Sequence, residues 1–122
     1  MIETEFKEFE VGRIAKGSKI CNIEDTSDET PPPEDNGSWT TCWKRLTSKE
    51  RPAVCPVCGG KMTDETAAGA HIRFNSSKQD DWGWVTILCD SCNNWQNTGV
   101  MTLQDAISAV RIKMSKVRKS AL

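Results

Sequence analysis

At 122 residues the chain fits one domain with tails, and its apolar fraction of 37 % is thin for a filled core, so a staple of metal or disulfides is expected. Nothing in it approaches the ~18 consecutive apolar residues of a membrane span, and the start MIETEFKEFE has neither a basic n-region nor an apolar h-region, which argues against a membrane protein and against a signal peptide. The net charge of −1 conceals an asymmetry: residues 1–35 carry ten acidic and four basic side chains, the remainder seven and twelve, so the two parts stand at −6 and +5. A basic remainder admits a polyanion partner, although a solvated face accounts for so modest an excess equally well.

In chain order, residues 1–23 place Ile2, Phe6 and Phe9 as a helix would, whereas Phe9 and Val11 alternate as in a strand, so the element type stays open. The segment NIEDTSDETPPPEDNGS is acidic and carries three consecutive prolines, which exclude helix, and 24–37 reads as a solvated linker closing an acidic N-terminal region, 1–37. Ser38 is an N-cap candidate for a short helix in which Trp39, Cys42, Trp43 and Leu46 form one apolar face and which Pro52 ends. Ile72 and Phe74, the turn NSSKQDD and the run Trp82 to Leu88 predict a β-hairpin. From Thr102 the chain predicts a basic amphipathic C-terminal helix over 102–122: Thr102 and Asp105 resemble a capping box, and Leu103, Ile107, Val110, Met114 and Val117 are spaced 4, 3, 4, 3.

The strongest chemical signal is a pair of C-x-x-C motifs, Cys55 with Cys58 in CPVCGGKM and Cys89 with Cys92 in LCDSCNNW. Two thiolates so close in sequence can face one ion while the glycines turn the chain back. Four such ligands make a closed tetrahedral site of the structural kind, expected to hold Zn²⁺; two disulfides are the alternative, and the cytoplasmic, reducing location expected for a chain with no export signal favours metal. Cys42 reads as a buried thiol on the helix face, and Cys21 has no assigned role.

The knuckle CPVCG, the strand GAHI and the segment LCDSCNNWQN together resemble the HNH family of treble-clef zinc proteins, over about residues 53–98. The GAH, the tryptophan on the second hairpin strand and the upstream Trp39–Trp43 helix are also similar to small zinc proteins of phages and mobile elements. The resemblance implies a small α+β fold: a zinc-bound treble clef of knuckle, β-hairpin and helix, which with the preceding Trp-containing helix makes a module over 38–101 and is followed by the C-terminal helix. It also implies His71 as general base and a second divalent ion, Mg²⁺ or Mn²⁺, held beside it with help from Asn93, Asn94 or Asn97. Where that family usually has a metal ligand before the base this chain has Ala70, and where the family has its central asparagine the chain has Trp84. His71 is therefore as readily a structural residue, hydrogen-bonded near the knuckle.

Arg73, Trp82 and Trp84 on the hairpin, and Arg111, Lys113, Lys116, Arg118 and Lys119 towards the C-terminus, are the candidate nucleic-acid contacts, through stacking and phosphate attraction. The reading that best fits is a zinc-stabilised, non-catalytic binding module of phage or mobile-element accessory or inhibitor type, directed at nucleic acid or at a protein that processes it. An HNH-like endonuclease using His71, and a homodimer paired through the C-terminal stripe, are the two alternatives.

Overall fold

A computed structural model describes residues 9–23, 26, 30–75, 82–94, 96–97 and 99–113. Six strands dominate it: β1 (Glu10–Ile14), β2 (Lys19–Asn22), β3 (Ala67–Phe74), β4 (Trp82–Cys89), β5 (Met101–Thr102) and β6 (Ile107–Lys113). They form one antiparallel sheet in the order β1-β6-β4-β3-β2-β5. Among the described residues one α-helix, α1 (Trp39–Thr47), lies against β3, β4 and β6. No helix among the described residues is long and apolar enough to cross a membrane.

The topology forces the sheet to curl. β1 and β2 are consecutive in the chain but four ladder steps apart, about 19 Å in a flat sheet with ~4.8 Å between strands. The five backbone steps from Ile14 to Lys19 reach at most about 18 Å when fully extended, and this connection spends part of that reach on a turn in which the Ser18 N–H donates to the Ala15 carbonyl at 3.1 Å. A flat sheet is therefore impossible, and the two ends must bend towards each other. The same connection ties on β5's continuation, since Gly17 N–H donates to the Leu103 carbonyl and Leu103 N–H to the Ser18 carbonyl.

Strand alternation and the register sort the side chains into two faces. One face carries Gly69, His71, Arg73, Val85, Ile87 and Val110 and is the face on which α1 sits. The other carries Ile14, Ile20, Ala70, Ile72, Thr86, Leu88, Ile107 and Ala109, all buried. Helix α1 begins as expected: the Ser38 Oγ accepts from the Thr41 N–H at 3.1 Å, and Cys42 and Trp43 point inward. It ends at Ser48, which takes a left-handed conformation (φ 57°), four residues before Pro52. Trp43 spans to the sheet, its indole N–H donating to the Ser108 carbonyl at 3.0 Å.

The structure departs from the expectations at several points. The predicted C-terminal helix is strand β6 over Ile107–Lys113, and 114–122 lie outside the described residues. Both faces are buried over Ile107–Val110, so this part of the strand lacks the polar alternation that marks a half-buried strand, and β-branched Ile107, Val110 and Ile112 suit the pleat. Of the stripe expected to pair two copies, Leu103, Ile107 and Val110 are buried within the chain, while Met114 and Val117 lie outside the described residues. The boundary expected at residue 37 does not divide the molecule, because β1 and β2 belong to the common sheet. The linker expected over 24–37 holds a 3-10 turn at Pro33–Asp35, where the Asp35 carboxylate is fully buried and bridged by the Arg45 guanidinium at 2.9 and 3.0 Å.

Candidate metal centre

The first Cys pair sits in a tight loop closed by the bridge between Val54 and Lys61. Cys55 N–H donates to the Gly60 carbonyl at 2.8 Å and Gly59 N–H to the Cys55 carbonyl at 2.9 Å. Gly59 has φ 76°, where an L side chain is strained, which is why a glycine follows the second cysteine. The knuckle is fixed to the body of the fold by Arg51, which pairs with Asp64 at 2.8 Å and donates to the Met62 carbonyl, and by the Gln104 N–H on the Pro56 carbonyl at 2.7 Å. The second pair is delivered by β4: Cys89 is its last residue, and a turn through 90–93 returns Cys92 to the same side, with Asn93 N–H donating to the Cys89 carbonyl. After this turn the described chain continues to β5 rather than into a helix, so the helix that would complete a treble clef does not follow the second pair among the described residues.

The four Sγ atoms lie within 4.8 Å of one another, with Cys55 to Cys92 at 3.8 Å and Cys58 to Cys89 at 3.7 Å. All four are free thiols, and these spacings are far beyond the ~2.05 Å of a disulfide. They match a different object: a tetrahedron with metal–sulfur bonds of about 2.3 Å has sulfur–sulfur edges of about 3.8 Å. The electrostatics agree. Burial pushes the Cys89 thiol up, and burial together with the adjacent thiols of Cys89, Cys55 and Cys58 pushes Cys92 up as well. Cys55 is also raised by burial, but backbone N–H groups of Cys89, Cys58 and Val57 outweigh it and hold it at about 7. Four crowded sulfurs of this kind cannot ionise together without a cation among them. The donor set and its closed geometry fit a structural ion such as zinc.

Two asparagines support the turn from behind. The Asn22 Nδ2 on β2 donates to the Cys92 carbonyl at 2.8 Å and to the Asn97 carbonyl at 3.1 Å, and the Asn97 Nδ2 donates to the Cys92 carbonyl at 2.8 Å. Asn22 carries no sequence signal, since β2 itself was not legible. The Asn94 Oδ1 accepts from the Gln96 N–H at 2.9 Å. Asn94 and Asn97 thus serve the turn itself.

His71 lies at the centre of β3, 7 % exposed, its ring edge-on to Trp39 with centroids 4.8 Å apart. Among the described residues, no group of three His, Cys, Asp or Glu side chains comes together other than the four cysteines. Arg73 is 6 % exposed on the helix-bearing face, away from Trp82 and Trp84, which correct alternation places on the opposite face of the hairpin. There the register sets Trp82 against Lys113 and Trp84 against Arg111. The Arg111 guanidinium stacks 4.4 Å from the Trp82 ring centroid and lies 3.6 Å from the Glu10 carboxylate, and Phe74 meets Trp84 edge-on at 6.5 Å. Lys116, Arg118 and Lys119 fall outside the described residues.

No family model, no curated protein and no solved structure matches this chain. The HNH-like resemblance therefore rests on the sequence motifs alone.

Proposed function

We propose that the chain is a non-catalytic binding module in which Zn²⁺ on Cys55, Cys58, Cys89 and Cys92 holds the two turns together, and in which Phe74, Trp82, Trp84, Arg111 and Lys113 take single-stranded nucleic acid. The observation that carries the reading is the register of β4 on β6, which gathers half-buried tryptophans and cations on one sheet face. Unstacked bases offer a π-face to such aromatics while their phosphates attract the cations, whereas a duplex hides its bases. The burial of His71 under Trp39 favours a non-catalytic role over a base that must reach water.

The test is fluorescence anisotropy of a labelled single-stranded oligonucleotide at low salt. Binding should weaken steeply as salt rises, and Trp82→Ala should weaken it by about 5- to 150-fold, the equivalent of ~1–3 kcal/mol per stacked base. No binding to either single-stranded DNA or single-stranded RNA at low salt would remove the nucleic-acid part and leave the metal-held fold.

A further inference from the structure

We propose that Asn22 is a positioning residue for the metal turn, acting with Asn97 through the backbone of Cys92. The inference rests on the metal reading above and assigns the site a support from a distant strand. Asn22 is 70 residues from Cys92 in sequence and nine-tenths buried at the end of β2. Its amide faces two carbonyls, those of Cys92 and Asn97, so the orientation is decided by chemistry: only the NH₂ end can donate to both. The Cys92 carbonyl in turn accepts from two side chains, Asn22 and Asn97, which is an unusual concentration of donors on a backbone atom of a ligand residue. The remaining Asn22 Oδ1 is buried and finds no donor among the described residues, so this asparagine is seated to suit the turn rather than its own oxygen.

The consequence is specific. The first Cys pair is held by the knuckle's own hydrogen bonds together with Arg51 and the Gln104 N–H, and Cys89 by β4, whereas Cys92 is reached from β2 through Asn22. Ordering of the Cys92 sulfur is then linked to β2 being in place, and metal affinity should respond to a side chain that touches no sulfur.

Co²⁺ bound to the full chain is the probe, because its sulfur-to-metal and d–d absorption bands report tetrahedral thiolate geometry. Asn22→Leu keeps the branching of the side chain and removes both bonds, and Asn22→Asp sets a carboxylate against two carbonyls. Each should lower Co²⁺ affinity about tenfold or more and shift the d–d bands. Ile112→Val, a comparable loosening of the core on β6, should leave the bands in place. Wild-type affinity and spectrum in both Asn22 variants would overturn the proposal. Should they not fold, Asn97→Ala decides instead: a several-fold loss of affinity supports the proposal and an unchanged affinity overturns it. A wild-type chain that gives no thiolate bands at all would sink the metal reading itself, which is a different result.

Discussion

Gly69 is where helix and strand come closest. A Cβ built there would lie 2.6 Å from the Trp39 Cβ and 2.9 Å from the Thr40 nitrogen, so the first turn of α1 rests directly on the strand backbone. Neither the helix start nor the strand is the flexible end of a side chain, and one of them must move if a methyl is added. Gly69→Ala should therefore destabilise the fold by about 1–3 kcal/mol, read as a lower urea midpoint with unchanged slope. An unchanged midpoint would show that α1 can lift without cost. The same contact seats Trp39 on His71 two residues along. The GAH motif, which resembles a nuclease strand, thus has a packing explanation at both its glycine and its histidine. At this scale the four cysteines were legible because metal ligation restricts spacing and residue type together. Asn22 and Asp35 were not, because a buried hydrogen bond to a distant partner leaves no local pattern.

Among the elements, α1 is clamped to the turn before it. The hydrogen bond from the Arg45 guanidinium beside Asp35 holds the Asp35 carboxyl below the usual carboxylate range, outweighing the opposing effect of burial. Burial, and then the Asp35 carboxylate, push the neighbouring Cys42 thiol up to about 12, so the clamp operates with an ionised acid and a neutral thiol. Because the folded value lies below the unfolded one, the clamp's contribution is complete above an unfolded pKa of about 4 and disappears as pH falls through the folded value. Asp35→Asn should cost about 1.5–3 kcal/mol at pH 7, and the wild type should lose stability more steeply than the variant as pH falls below about 4. Parallel curves from chemical denaturation across this range would count against the clamp. Helix α1 was legible from its cap and its apolar face, and the β3–β4 hairpin from its aromatic and β-branched run. Strand β6 was not, since Leu103, Ile107 and Val110 satisfy a helical spacing by coincidence. What decides between the two is the pairing of β6 with β1 and β4, which only the assembled sheet supplies.

For the whole molecule, the four-cysteine site, the Asn22 bridge and strands β2 and β5 form one chain of dependence. β5 begins nine positions after Cys92 and pairs with β2, whose last residue reaches back to the Cys92 turn. Chelating the metal should accordingly speed amide exchange at Ile20, Met101 and Leu103 more than at Val85 and Val110, which sit in the β4–β6 pairing. Uniform acceleration across all five amides would mean that the metal governs only global unfolding. The curl of the sheet was also beyond sequence reading, as it follows from strand order and not from any one strand.

That strand order also sets a timetable during synthesis. Strand β1 meets β6, its partner among the described residues, through Val11 opposite Val110, 99 residues later in the chain. At about 5–20 residues per second a ribosome needs on the order of 5–20 s to make the intervening chain. Over that interval Glu10–Ile14 lacks β6 to pair with, and the β3–β4 hairpin and both cysteine pairs are made before β6 is. The nascent protein therefore closes its sheet last with the strand it made first.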